Sequence, residues 1–275
     1  MSEVNENGQE AKGGGLLAMS NDSFAKTIIV AVGLCLFCSI LVSAAAVGLR
    51  PLQLKNKELD MKKNILQVAE LYDEGTSIEV VFDQKIETKI IELSSGEYVD
   101  IENPESFDQR KASKDPAESV AIPADLDKAG IRRKATKAPV YLVKENDELK
   151  LIILPVHGYG LWSTMYGFLA LESDATTVAG INFYDQGETP GLGGEVVNPK
   201  WRNLWKGKKV YNTEGEAILA LVKGSVTDAT ANAEYKVDGL AGATLTSVGV
   251  TNLIQYWLGR EGFAPYLEKI KKERS

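Results

Sequence analysis

The sequence predicts an α+β protein in which a single N-terminal transmembrane helix precedes a mixed α+β domain. Three observations support this fold class. An apolar run without a charge extends over residues 27–49, and β-like runs separated by turns follow one another from residue 139. Near the C-terminus, apolar residues return at helical spacing after a turn rich in small residues.

The composition limits the classes of function. With 275 residues, a net charge of −7 and 44% hydrophobic residues, the chain can form one medium domain with attachments. The acidic balance gives no reason to expect nucleic-acid binding. Both cysteines, Cys35 and Cys38, lie in the apolar run, so no disulfide framework or zinc pattern exists. A single histidine, His157, excludes a multi-histidine metal site, and we predict no metal.

The apolar run has the length of a membrane span. It contains 23 residues between Lys26 and Arg50, and a bilayer core needs ~20 in a helix. A signal peptide is the alternative, although its apolar region is usually ~7–15 residues long. The "SAAA" at residues 43–46 resembles a cleavage site. We interpret the run as an uncleaved anchor in membrane lipid. The C-x-x-C formed by Cys35 and Cys38 leaves a redox or iron–sulfur role open beside ordinary helix packing.

Four segments follow from these patterns. Residues 1–26 are a polar tail with three consecutive glycines, 27–49 the transmembrane helix, 50–75 a helical stalk and 76–275 the domain. The stalk is predicted as a helix from about Leu54 to Glu74, with Gly75 as its stop. Basic residues are more numerous after the anchor than before it, which favours a cytoplasmic C-terminal part by the positive-inside rule.

Within the domain, the β-like runs are predicted as strands, whereas residues 94–139 receive no assignment. The predicted strands are "SIEVVF" (77–82), "TKIIEL" (88–93), "VYLVKE" (140–145), "LKLIILPV" (149–156), "YGFLALE" (166–172) and "TTVAGINFY" (176–184). "EAILALVKG" (216–224) fits a strand or a short helix. A helix is expected from about residue 244 until Gly259 and Gly262 end it.

The stretch "VDGLAGATLTS", residues 237–247, combines small residues with three hydroxyls. It is expected to form a turn that opens this helix, and a helix N-terminus attracts anions through its free N–H groups. Small residues let the backbone approach a ligand, and a nearby hydroxyl can contact a phosphate or be esterified by one. Asp238 is a candidate to ligate a metal or to cap the turn. The alternative is a plain helix N-cap by Thr or Ser.

The segment "DGLAGATLTS" resembles the flavinylation motif of the NqrC subunit of the Na+-translocating NADH:quinone oxidoreductase, and that of the corresponding flavin subunit of the related Rnf complex. The family pattern is Asp, two residues, Ser or Thr, Gly, Ala, Thr. The resemblance implies that Thr244, preceded by Asp238, Gly242 and Ala243 and followed by Leu245 and Thr246, carries FMN through a phosphoester. A separate flavin transferase would attach it. The chain departs from the pattern at Ala241, where Ser or Thr is usual.

Other segments extend the resemblance to the NqrC subunit: "GLWSTMYGFLALE" (160–172), "ETPGLGGEV" (188–196), the tryptophans at 201 and 205, and the single anchor. The glycines of "ETPGLGGE" suit close approach to a ring or phosphate, but the Lys and Ser/Thr of a P-loop are missing, which disfavours an ATPase. Met165 is either ring-facing or core, and His157 is a weaker candidate. The implied flavin-contacting residues are Tyr159, Leu161, Trp162, Glu188, Thr189, Gly191, Leu192 and Gly193.

The resemblance implies an electron-relay subunit of a Na+-pumping NADH:ubiquinone oxidoreductase in the bacterial inner membrane. Its partners would be the other subunits of the complex, and its flavin domain would face the periplasm, against the charge count. The sequence has no dinucleotide fingerprint and no evident acid–base dyad, so the chain is not catalytically complete alone. The alternatives are an Rnf-type flavin relay and a non-redox, membrane-anchored binding module.

Overall fold

A computed structural model describes residues 23–274 of the chain. The predicted polar tail therefore lies almost entirely outside the described residues. The chain divides into two compact units, residues 1–57 and 58–275. The predicted limits of tail, anchor, stalk and domain stay predictions, because this division follows contacts within the chain and not the membrane boundary.

The first long element is one continuous helix, α1 (Phe24–Val68). Its apolar part, with a mean hydropathy of 2.7, is unburied and is long and apolar enough to cross a membrane. Cys35 and Cys38 are exposed on it as free thiols. Pro51 lies inside the helix and does not end it, so the predicted anchor and the first part of the predicted stalk form one continuous helix.

The helix ends earlier than the predicted stop at Gly75. Glu70 adopts the left-handed conformation at φ 59°, and the amide of Leu71 donates to the carbonyl of Leu66 at 2.9 Å. The amide of Glu70 donates to the carbonyl of Gln67. This is the Schellman pattern of helix termination, which usually places glycine at the left-handed position. The sequence signal failed because a glutamate occupies that position here.

A second helix, α2 (Ile78–Lys85), replaces the predicted strand "SIEVVF". Phe82 is buried, and Ile78 and Val81 pack beside it. These positions are separated by three and four residues and therefore share one helical face. Packing of this face against the domain outweighs the strand preference of the β-branched residues.

The centre of the domain is a five-stranded antiparallel sheet in the order β1-β4-β5-β6-β7. Its strands are β1 (Ile86–Glu92), β4 (Lys137–Glu145), β5 (Glu148–Tyr159), β6 (Thr164–Glu172) and β7 (Val178–Asp185). Five of the six predicted strands are thereby confirmed. The register places Tyr141 opposite Ile153 and Leu154 opposite Leu169.

The unassigned region 94–139 contains short elements and the start of β4. They are a 3-10 turn (Pro104–Ser106), α3 (Gln109–Ala112), β2 (Ser119–Ala121) and β3 (Arg133–Ala135), and the two strands pair antiparallel. Asp108 caps α3 by accepting from the amides of Arg110 and Lys111. In the C-terminal part, α4 (Pro199–Asn203) precedes two short parallel strands, β8 (Ala220–Leu221) and β9 (Lys236–Val237). "EAILALVKG" thus contributes a short strand.

Helices cover both faces of the sheet because the strands alternate buried side chains between two cores. On one face, α5 (Thr244–Trp257) and α6 (Ala264–Glu273) pack on a core that includes Leu154 and Leu169. On the other, the last turns of α1 and the helix α2 pack on Tyr141, Ile153 and Phe168. The end of the long helix is therefore part of the domain core.

Candidate functional site

The helix α5 begins at Thr244, and this confirms the predicted turn that opens a helix. Ala243 holds the N-cap position and makes no side-chain cap, so the alternative in which a Thr or Ser side chain simply caps the helix is wrong. Gly242 adopts φ 71°, in the left-handed region that favours glycine. The first amides of α5 thus have no capping side chain, which leaves a positive helix end available to an anion.

The three hydroxyls of the motif have different surroundings. Thr246 is 1% exposed and donates to Oε2 of Glu188 at 2.6 Å. Ser247 is buried, donates to the carbonyl of Ala243 and accepts from the amide of Leu240, both at 3.0 Å. Thr244 is exposed, and within residues 23–274 no hydrogen bond to its side chain is formed. Only one hydroxyl of the motif therefore faces solvent.

Glu188 is a buried carboxylate that joins three segments of the site. Its Oε1 accepts from the amides of Trp162 at 2.9 Å, Leu161 at 3.1 Å and Ser163 at 3.2 Å. Its Oε2 accepts from Thr246. The carboxylate of Glu188 therefore supports the loops of the site, and its implied contact with the flavin stays a prediction.

The ionised form of Glu188 is stabilised by neutral donors. Burial raises the pKa of this carboxyl, but the hydrogen bonds from Thr246 and from the amides of Trp162, Leu161 and Ser163 outweigh burial and lower it below its usual value. The site thus contains a fixed negative charge next to the first turn of α5.

Glycines allow these segments to approach one another. A Cβ on Gly193 would lie 2.5 Å from Oγ1 of Thr246 and 2.9 Å from Oε2 of Glu188. A Cβ on Gly160 would lie 2.6 Å from Oε1 of the same carboxylate. All three distances are shorter than any ordinary carbon contact. Gly160 and Gly193 therefore allow the site to pack around one carboxylate.

Several apolar side chains of α5 and of the loops of the site are exposed. We call this set the apolar rim, and it consists of Tyr159, Leu161, Trp162, Leu192, Leu245 and Val248. Trp162 is 66% exposed and Leu245 is 60% exposed. The backbone on which Leu161 and Trp162 stand is tied to Glu188, and a Cβ on Gly242 would lie 2.9 Å from Cδ2 of Leu192. Exposed apolar side chains grouped in this way are typical of a surface that binds a ligand or a partner.

The structure places most of the predicted flavin-contacting residues together. Thr189 and Gly191 are exposed on the same loop as Glu188, and the carbonyl of Thr189 accepts from the amide of Gly194 at 2.9 Å. Their predicted contact with a ligand stays a prediction. Met165, considered as ring surface, is fully buried in the core, so that suggestion is wrong, because its position on β6 points into the sheet–helix interface.

Asp238 lies in a different environment from Thr244. Its Oδ1 accepts from the amide of Val226 at 2.8 Å, and its carbonyl accepts from the indole of Trp201 at 2.9 Å. It borders a cavity of about 290 Å³ that Leu204 and Lys208 also line. The carboxylate therefore braces a neighbouring loop and does not cap α5. Within residues 23–274, no group of three or more metal-binding side chains is arranged to hold an ion.

His157 lies in the core. It is stacked on Tyr166 with ring centroids 5.3 Å apart, and its carbonyl accepts from the indole of Trp257 at 2.6 Å. Burial, with the nearby Arg110 guanidinium, lowers the pKa of His157 to about 4. A histidine that is neutral and enclosed by rings is structural.

Sequence reasoning missed residues that shape the site. Ser163 accepts from the amide of Gly187 at 2.7 Å and so fastens the loop before Glu188. Val248, one turn after Thr244, also belongs to the apolar rim. It lies with Leu245 on the exposed side of α5, whereas Val250 and Leu253 face the core. For Ser163, the only sequence signal of a role in the site was its position directly after the tryptophan of "GLWS".

Comparison with known proteins agrees with this site. The family model of the FMN-binding domain matches residues 160–259, which include the Glu188 loop, α5 and the apolar rim except Tyr159. The NqrC subunit of the Na(+)-translocating NADH-quinone reductase of Pseudomonas aeruginosa is 48% identical over 256 residues, or 92% of this chain and 98% of that protein. The same subunit of Vibrio vulnificus is 50% identical over 252 residues, or 92% and 97%.

Solved structures show the same fold. The crystal structure of Shewanella oneidensis NqrC aligns with a TM-score of 0.74 and 32% identity, covering 79% of this chain and 99% of that one. The corresponding subunit from Parabacteroides distasonis aligns with a TM-score of 0.63 and 29% identity, covering 80% and 96%. The chain belongs to the family of NqrC subunits of the Na+-translocating NADH-quinone reductase, an oxidoreductase complex.

Proposed function

We propose that the chain is the electron-relay subunit of a membrane Na+-translocating NADH:ubiquinone oxidoreductase and carries FMN through a phosphoester on Thr244. The FMN-binding domain and the identity to NqrC proteins support the flavin and the complex. The same identity, over most of the chain, favours this assignment over an Rnf-type relay. The domain match disfavours a non-redox module.

The proposed attachment at Thr244 rests on the exposure of its hydroxyl. Thr246 and Ser247 are buried and already hydrogen-bonded, so neither can reach a phosphorus atom without breaking the turn. Thr244 stands at the uncapped end of a 14-residue helix, where backbone amides and the helix dipole favour a phosphate. The residues present therefore fit FMN, with its phosphate at the helix end and its ring on the apolar rim.

Attachment would require an activated flavin phosphate, and the phosphoanhydride bond between FMN and AMP in a flavin dinucleotide would provide that activation. The Thr244 oxygen would bond to the FMN phosphorus while the P–O bond to the adenylate breaks, and AMP leaves with the electron pair. The hydroxyl proton would pass to a base of the flavin transferase. Ala241 lies in the exposed part of the turn, next to Gly242, where the usual Ser or Thr would face the transferase.

The chain contributes position and environment to electron transfer. Bound FMN supplies the capacity to accept and release electrons, whereas the protein fixes its place and polarity. The apolar rim would keep water from one face of the ring. The apolar segment 27–49 contains no carboxylate, so the path of Na+ would belong to the other subunits.

The flavin domain is proposed to face the periplasm, with α1 anchored in lipid. By the positive-inside rule, the basic residues after the anchor favour the opposite orientation. Lys62, however, is a weak indicator of membrane orientation. Lys62 is buried and paired with Glu105 at 3.0 Å, and Glu58 and Asp83 lie near its ammonium. Its charge serves the domain, and long domains can cross a membrane largely regardless of flanking charge. A reporter fused to the C-terminus tests this, and a cytoplasmic signal would contradict it.

The covalent flavin is tested by expressing the full chain with a flavin transferase and recording flavin fluorescence on a denaturing gel. We expect a fluorescent band for the wild type, a dark band for Thr244→Ala, and a fluorescent band for Thr246→Ala. A dark wild type, with a known substrate of the same transferase loaded in parallel, would overturn the proposed attachment. Fluorescence that persists in Thr244→Ala would move the acceptor to another residue.

A further inference from the structure

We propose that Glu188 is a positioning residue that holds the turn after β5 and the first turn of α5 in one arrangement, and so presents Thr244 for flavin transfer. The inference rests on the proposed attachment at Thr244. It assigns to Glu188 a role within the protein, because its carboxylate accepts from three backbone amides and from the hydroxyl of Thr246.

The geometry is that of a clamp between two chain segments. Three consecutive amides, of residues 161, 162 and 163, converge on one side of the carboxylate. The hydroxyl of Thr246 approaches from the other side at 2.6 Å. Charge-assisted hydrogen bonds of this kind are roughly twice as strong as neutral ones. Because Thr244 lies two residues before Thr246, the clamp fixes the turn on which the acceptor stands.

The clamp needs a carboxylate and not merely a side chain of that size. Four donors meet two oxygens, and a glutamine would turn an NH₂ group towards donors that then lose their partner. Gly160 and Gly193 leave no room for a larger rearrangement, since a Cβ at either would lie within 3 Å of a carboxylate oxygen. Glu188 also places a negative charge within one helical turn of the flavin phosphoester.

The test compares Glu188→Gln with Glu195→Gln in the full-length chain. Glu195 lies on the same loop and accepts from the side chain of Asn198 at 2.7 Å, so its substitution removes the same charge without touching the clamp. We expect the initial rate of flavin attachment to fall about tenfold in Glu188→Gln, as expected when a reacting group loses its fixed position. We expect Glu195→Gln to match the wild type.

A second readout separates positioning from general damage. In the fraction that becomes loaded, Glu188→Gln should raise the flavin midpoint potential relative to Glu195→Gln, because loss of a nearby negative charge makes reduction easier. If Glu188→Gln does not fold, Thr246→Val tests the same contact without a change of charge, and its attachment rate should fall while the final flavin stays on Thr244.

The outcomes distinguish the two proposals. A wild type without flavin would overturn the proposed attachment itself. A loaded wild type with Glu188→Gln equal to Glu195→Gln in both rate and potential would overturn the positioning role alone. If Glu188 acts through Thr246, the double variant Glu188→Gln/Thr246→Val should load no more slowly than Glu188→Gln, and fully additive losses would also overturn it.

Discussion

Thr244 and Thr246 are separated by one residue, and the structure predicts reciprocal effects when each is changed to valine. Valine matches threonine in shape and removes only the hydroxyl. Thr244→Val should abolish covalent flavin and leave the stability of the domain unchanged. Thr246→Val should lower stability and leave the acceptor in place. The prediction therefore separates a chemical from a structural hydroxyl within one helical turn.

The magnitude follows from the surroundings of each residue. Thr246 is 1% exposed and donates to an ionised carboxylate, and a hydrogen bond to a charged group contributes about 1.5–3 kcal/mol. Glu188 keeps its three amide donors, so we expect a loss of about 2 kcal/mol. For a domain of this size, that corresponds to a fall in Tm of roughly 4–8 °C. Thr244 is exposed, and its substitution should stay within about 0.5 kcal/mol.

Tryptophan fluorescence suits the assay because all four tryptophans, Trp162, Trp201, Trp205 and Trp257, lie in the second unit and none lies in the anchor. The full chain would be unfolded by urea in detergent, after expression without the transferase, so that flavin does not quench the signal. Attachment would be measured on the same variants after coexpression. Equal stability losses in both variants, or flavin lost from Thr246→Val and kept by Thr244→Val, would refute the reasoning.

Further predictions concern pH, packing and the turn. Folding lowers the pKa of His157 from 6.5 to about 4, so between these pH values the unfolded chain binds a proton that the folded chain excludes. The free energy of unfolding should therefore fall by up to about 3 kcal/mol as the pH drops from 6.5 to 4. His157→Gln should weaken this pH dependence in urea titrations. Gly193→Ala should slow flavin attachment, because its Cβ would displace the carboxylate of Glu188, whereas Gly215→Ala in an open turn should not alter the attachment rate. Asn182→Leu should cost about 2 kcal/mol in urea unfolding, since the buried Asn64 and Arg202 lose their partner; a stability equal to the wild type would show that this network contributes nothing. Ala241→Ser should raise the flavin occupancy measured on gels, and unchanged occupancy would make that position incidental.

The strands of the domain could be predicted well from sequence because they are apolar runs rich in β-branched and aromatic residues and are bounded by turns. The run "LKLIILPV" became the centre of β5, and "YGFLALE" the centre of β6. The prediction failed where tertiary contacts determine the secondary structure. "SIEVVF" is rich in β-branched residues, yet the burial of Phe82 beside Ile78 and Val81 makes it a helix.

The sequence indicated which residues form the candidate site, but not the hydrogen bonds that connect them. A short motif with a glycine and three hydroxyls indicated a phosphate-binding turn, and the resemblance selected Thr244. Sequence alone could not show that Glu188, 58 positions before Thr246, accepts its hydrogen bond. That pairing depends on how β5, β6 and α5 pack, which no local pattern contains.

The topology of the sheet sets an order of events during biogenesis. Ribosomes complete α1 early, but its last turns are buried by Tyr141 and Phe168, which are synthesised much later. Strands β4 to β7 are joined by successive hairpins, whereas β1 must close a long loop to reach β4, and such closures come late. Thr244 lies on α5, and Glu188 joins the first turn of this helix to the turn after β5. The last turns of α1 can therefore be buried only after the later strands have been made, and the proposed flavin attachment at Thr244 would follow the folding of the domain.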